Sequence, residues 1–290
     1  MNDKEITVES GDNSNNNVAA RDVIINGMSY TEVKDLFFTL FDSNFPKLVE
    51  VAKQEAINNV ADFLDNYLRK KLEENPNIDI ARFSKPDVQF SLNEAVIASA
   101  QKGQSIDLNI LSDMVVNRLS QPIGDIVDFA SAEAINVIKK LNSQQIAFLA
   151  FCHCCFYVQY KIPMEEQLPT QMQIQMLDLS FYKSVADHFM TAGSISMSNI
   201  LYLQSLGLLS FLSFYEYNFM DILKKQHNWT QIADINQLIS LYAVHINDIN
   251  NVYKKGFAHN VSLPRIGQVI AIAAMNAKFS QKVDYKIWIN

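Results

Sequence analysis

Glycine and proline are scarce, with eight and seven in 290 residues, and that scarcity excludes a chain built from many tight turns. Few helix breakers leave room for long helices. Cysteine is rarer still. All three fall within Cys152-His153-Cys154-Cys155, too close together on one helix to form a disulfide framework, so reduced thiols and a cytoplasmic location are expected. Basic charge is also short: 24 Lys and Arg stand against 31 Asp and Glu, a formal net charge of -7. That sign disfavours affinity founded on phosphate neutralisation, and non-specific nucleic-acid binding is not expected. Neither GxxxxGK[ST] nor GxGxxG occurs, and no Arg is followed by His at the spacing used by helical defence ribonucleases. Residues 1–17 are polar and hold no apolar stretch of the kind a secretory signal needs. No repeat of solenoid period is visible.

What is present is apolar residues, 49% of the chain, enough to bury a substantial core. Their spacing predicts a mainly α-helical protein with a short N-terminal β segment and a winged-helix-like C-terminal module. Four regions are expected. Residues 1–28 form a polar tail that ends in Val18, Val23, Ile24 and Ile25, β-branched residues that favour a strand, before the turn dipeptide Asn26-Gly27. Residues 29–75 are expected to be helical, opening with the capping box Ser29-Tyr30-Thr31-Glu32. A linker is expected over residues 76–89, around Pro76 and Pro86. Residues 90–290 form a helical domain, with helices over 91–102, 107–119, 124–140, 143–158 (capped by Ser143), 173–191 and 197–206. A long amphipathic helix is expected from Trp229 to Lys254, then a strand near 257–263, a helix over 264–277 and a terminal strand at 285–289.

No catalytic constellation stands out. Cys152 and Cys155 have CxxC spacing with His153 between them, but no second pair completes four zinc ligands, and the segment reads as a buried helix where thiols pack as small apolar groups. His188, His227, His245 and His259 are scattered, and no Ser or Cys nucleophile sits in a recognisable elbow beside them. Catalytic, cofactor and metal sites are therefore not expected, although a carboxylate site needs no linear motif.

The most apolar stretch is Leu201–Tyr215, LYLQSLGLLSFLSFY, inside a run without Asp, Glu, Lys or Arg from His188 to Tyr215. Gln204, Ser205, Gly207, Ser210 and Ser213 interrupt it, so a buried helix followed by a strand is the expected structure rather than a spanning helix. Leu201, Leu203, Leu206, Leu208, Leu209 and Phe211 are its candidate contacts for a partner, or for a membrane on activation. The stretch pairs in pattern with Val261–Gly267, VSLPRIG: the first resembles a helix ending in the LxxLGLL form that precedes the wing of winged-helix folds, the second the strand-to-helix step written xLTxxG. No Lys or Arg lies between Ser194 and Tyr215, so a DNA-reading helix would lack its usual donors, and protein contacts suit the module better.

With these motifs in view, two resemblances can be stated. LNSQQIAFLAF at 141–151, then LQSLGLL, then SLPRIGQVIAIA resembles, in order and spacing, the Abi-alpha type of bacterial abortive-infection protein. GDNSNNNVAARDVIING followed by SYTEVKDLFFTLFDSNFPKL, with IWI at 287–289, is similar to an uncharacterised bacterial family associated with mobile and anti-phage loci. Pro264 replaces the Thr of the LTxxG step, and Ala19-Ala20 stands where glycines are common. The resemblance implies a phage-defence protein that works through contacts with itself, and with a phage or co-encoded protein. A winged-helix regulator or nucleic-acid sensor is the alternative. A strand too short to bury its own face gains by pairing with another edge, so Val18, Val23, Ile24 and Ile25 are the candidate self-association residues.

Overall fold

The computed structural model describes residues 24–25, 28–46, 48–120, 124–159, 168–212 and 218–280. These residues are mainly helical. Strand β1 (Ile24–Ile25) pairs antiparallel with β2 (Met28–Ser29), Ile24 opposite Ser29 and Ile25 opposite Met28. The pair is therefore an intrachain hairpin flanking Asn26-Gly27. Val18 and Val23 lie outside the described residues. Helix α1 (Tyr30–Asn44) opens with the capping box read from the sequence: Ser29 Oγ accepts from the Glu32 amide at 3.2 Å, and Glu32 Oε2 accepts from the Ser29 amide at 2.8 Å.

Helix α2 (Glu50–Asp62) continues through a π-helical turn, Phe63–Leu68, into α3 (Arg69–Glu74). The i to i+5 closure of that turn brings Phe63, Leu64 and Leu68 onto one buried face, which regular α geometry would splay. Residues 76–89 are packed. Ile78, Arg82 and Phe83 are buried there, Ile80–Ser84 form a 3-10 turn, and α4 (Pro86–Lys102) already begins at Pro86. Pro86 suits this first helical position because its missing N–H has no partner to lose.

Helices α5 (Leu108–Leu119) and α6 (Asp125–Ile138) pack with α4. Helix α7 (Ser143–Phe156) follows, capped by Asn142 with Gln145 rather than by Ser143. Asn142 occupies the extended cap position, and Ser143 is the first helical residue. Next come α8 (Thr170–Leu177), a second π-turn at Asp178–Tyr182, and α9 (Lys183–Phe189). Helix α10 (Met197–Ser205) leads into β3 (Ser210–Phe211), and α11 (Phe219–Gln226) precedes a 3-10 turn at Trp229–Gln231.

The helix expected from Trp229 to Lys254 is divided into α12 (Ile235–Tyr242) and α13 (Val244–Lys255). A two-residue strand β4 (Val261–Ser262), preceded by a 3-10 turn at Ala258–Asn260, replaces the longer strand expected at 257–263. Helix α14 (Arg265–Lys278) closes the described chain, and the terminal strand expected at 285–289 lies outside the described residues. The centre of the fold is α7 against α14, with α5 and α6 on α14's other flanks. Ten consecutive residues of α14, Gly267 to Asn276, are buried. Its Gly and Ala positions allow that close approach from several sides at once.

Candidate functional site

The two stretches that pair by pattern, LGLL and VSLPRIG, meet in space. Helix α10 ends with Gly207 at φ +71°, its amide donating to Gln204 O at 2.9 Å and the Leu208 amide donating to Leu203 O at 3.0 Å. These two bonds are the Schellman closure that a left-handed glycine permits. The chain then runs into β3, which pairs antiparallel with β4: Ser210 faces Ser262, and Phe211 faces Val261. The Leu212 amide extends the ribbon by donating to Asn260 O at 2.8 Å. Gly267 presses on its base so closely that a Cβ there would sit 2.1 Å from Leu208 O.

This packing sorts the apolar residues of the stretch. Leu203, Leu208 and Leu209 are buried, Leu206 and Phe211 are partly buried against the core, and Leu201 is 52% exposed beside Tyr202. The six residues thus do not share one free surface, and of the six only Leu201 is more than half exposed. No helix among the described residues is long and apolar enough to cross a membrane.

The cysteine cluster is interior. Cys152, Cys154 and Cys155 are buried on α7, and burial pushes each thiol up from its ordinary range, so the reactive thiolate is suppressed. His153 is fully buried, stacks on Tyr157 at 5.3 Å, and has no hydrogen-bond partner for either ring nitrogen. Desolvation lowers its pKa to about 3 and holds it neutral. Among the described residues no group of three or more His, Cys, Asp or Glu is placed to hold a metal ion.

Two polar centres escaped the sequence. The first is Asp178, which opens the second π-turn and is 2% exposed. It accepts from the Ile246 amide at 2.8 Å and lies 2.8 Å from His245 Nδ1. A carboxylate only accepts, so Nδ1 carries the ring proton. The pair has the form of an orienting dyad, and it also caps the start of α13 from 68 residues away. The second is Arg118, 1% exposed, whose guanidinium reaches Asp87 Oδ2 at 2.7 Å, Ser91 Oγ at 3.2 Å and the Asp128 side chain. Arg82 bonds the same Asp128 at 2.6 Å and the Arg118 carbonyl at 2.7 Å. Arg118 holds the Asp87 carboxyl below the usual carboxylate range. These links tie the starts of α4 and α6 to the end of α5. No linear spacing announces either centre.

A groove of about 730 Å³ lies between the starts of α5 and α7 and the ends of α9 and α14. Tyr67, Gln104, Asp107, His188 and Lys278 line it, and Lys278 and Asp107 approach each other to 3.4 Å. His188 stands on its wall, while the oriented His245 does not, so the groove and the dyad do not form one reaction centre.

A protein-family model matches residues 27–232, and the chain belongs to that family. The matched region starts after the GDNS segment, spans β2 through the 3-10 turn at Trp229–Gln231, and stops before α12. Neither the curated proteins nor the solved structures gave a match.

Proposed function

We propose that this chain is a bacterial phage-defence protein of the abortive-infection type, acting as a homo-oligomeric, non-catalytic sensor or effector through protein contacts. One observation carries the contact reading: large apolar side chains turn away from the core in groups along helix faces. Phe90, Ile126 and Phe129 are 74%, 60% and 67% exposed at the starts of α4 and α6, two helices tied together by Arg118. Exposed aromatic and aliphatic groups on rigid elements are the anchors that protein interfaces use. The defence role is supported by the resemblances at both ends of the chain, and the residues from 11 to 28 are proposed to help assemble the oligomer. Light scattering of the full chain and of a chain lacking residues 1–28 tests this. A defined multimer that becomes monomeric on deletion supports the reading; monomers in both cases overturn it.

The β3–β4 ribbon favours a second use of the same module, as a winged-helix-like nucleic-acid sensor. Its helix α10 contains no Lys or Arg, which argues for protein contact instead. Binding of duplex DNA at low salt, lost steeply as salt is added, would move the assignment to the sensor.

Membrane disruption on activation is part of the proposal as an effector step. Because Leu203, Leu208 and Leu209 are buried in the resting fold, it requires α10 and β3 to leave the core. Dye release from liposomes by the activated assembly is the expected sign, and intact liposomes would remove the step.

A further inference from the structure

The groove between the starts of α5 and α7 and the ends of α9 and α14 takes no part in the contacts proposed above. Its volume of about 730 Å³ falls in the range of small-molecule sites, which combine an apolar floor with a few fixed polar groups. Ile106, Ile146 and Ala147 supply the floor through the edges that packing leaves uncovered. His188 adds an aromatic wall, its ring 6.4 Å from that of Phe279.

The polar groups select the ligand. Asp107 is fixed in place because its Oδ1 accepts from the Asn109 and Ile110 amides at 3.1 and 3.3 Å, the cap that starts α5. Among the described residues its Oδ2 meets only Lys278 Nζ, at 3.4 Å, a loose contact beside the roughly 2.7–2.9 Å of a close charged pair. The Lys278 and Asp107 side chains are 44% and 26% exposed, so both charges remain open to the groove. A simple anion is drawn to one of them and repelled by the other, and so is a simple cation. A molecule that carries both charges a few ångströms apart complements the pair. An α-amino acid does so: its ammonium meets Asp107 Oδ2, its carboxylate meets Lys278 Nζ, and an apolar side chain lies on the floor beside His188.

We propose that this groove binds a free α-amino acid with an apolar side chain, held as a zwitterion between Asp107 and Lys278. The site lies within one chain, so it stands or falls independently of the assembly and defence readings. The test titrates the full-length chain calorimetrically with L-phenylalanine and L-leucine, and with the matching amines and acids, each of which lacks one charge. At least one amino acid is expected to bind saturably, and its amine and acid about fivefold more weakly, as loss of one half-exposed ionic contact implies. Asp107→Asn keeps the cap of α5, since an asparagine oxygen accepts from the same amides, and Lys278→Met keeps an apolar stem; circular dichroism verifies both folds. Each substitution is expected to weaken the amino acid about fivefold. Lys278→Met should leave the amine unaffected, and Asp107→Asn should not weaken the acid. No saturable binding of either amino acid up to about 10 mM overturns the proposal. So does an amine or acid that binds as tightly as its amino acid, which would make the groove a site for a single charge. Amino-acid binding that either substitution leaves unchanged overturns it too, because the ligand would then sit elsewhere.

Discussion

Helices α7 and α8 contain no Asp, Glu, Lys or Arg, and both are rich in apolar residues, yet they end in opposite surroundings. In α7 every residue from Gln145 to Cys155 is buried; in α8 only Ile174 and Leu177 are. The difference lies in what surrounds them. Helix α7 is enclosed by α14, α9, α10, α11 and the 3-10 turn Met190–Ser194, whereas α8 packs chiefly on α12 and its own π-turn. An apolar helix is therefore buried all round or exposed along one side according to how many neighbours the fold supplies. Composition alone does not distinguish the two.

That contrast can be broken or sharpened by substitution. The largest effect is expected on the α7 side from Gly267→Ala. Its new Cβ would collide with the Leu208 carbonyl, a backbone atom that cannot swing aside as a side chain can, so α14 must shift off β3 and α7. A loss above about 4 kcal/mol in urea unfolding, or failure to fold, is expected. Ordinary stability would show that the ribbon and α14 are not clamped as described. Next, Phe151→Ala in α7 removes a ring that is 1% exposed and is expected to cost roughly 3–5 kcal/mol through lost burial and a residual cavity.

His153 gives a smaller change of opposite sign. Its two unpaired ring nitrogens are a burden inside α7, so His153→Leu is expected to stabilise the protein by about 1 kcal/mol at neutral pH. The pH dependence identifies the cause. With a folded pKa near 3 against an ordinary 6.5, the unfolded chain takes up a proton below pH 6.5 that the folded chain refuses. Stability is thus fully present above pH 6.5 and declines as pH falls toward 3. The variant should lose the part of that decline that begins at 6.5. It should keep the later loss from Asp87, whose lowered pKa also makes its contribution disappear on acidification. An unchanged acid limb would mean that His153 is not desolvated in solution. The smallest effect is expected from Met172→Ala on α8, which is 50% exposed, within about 0.5 kcal/mol. A cost as large as that of Phe151→Ala would make that side of α8 core, and the contrast between the helices would vanish.

Much of the fold was legible because it is written in local pairs of residues. Ser29 and Glu32 specify the start of α1, Gly207 ends α10, and Leu201–Tyr215 reads as a helix followed by a strand. Other features were hidden because their partners are remote. The pattern from Trp229 to Lys254 contains no Gly or Pro, so it reads as one helix; Asp178 caps the start of α13 through the Ile246 amide and marks the break. Residues 76–89 look like a linker through their prolines, but Arg82 is held by Asp128 and Phe83 is buried. The candidate contacts in Leu201–Tyr215 stand out by apolarity, whereas the alternating glutamines of α8 lower its hydrophobicity and mask its exposed methionines.

By itself, then, the sequence determined the helical class, the capping box of α1, the glycine stop of α10, the lack of cysteines for a disulfide framework and the acidic balance, because each follows from composition or from residues a few positions apart. Only the tertiary structure decided which apolar side chains are core and which face outward, that Arg118 and Asp178 become buried polar centres, and that His153 stays neutral. Those outcomes depend on exclusion of water by elements far away in the chain, and no local pattern encodes what will cover a given face.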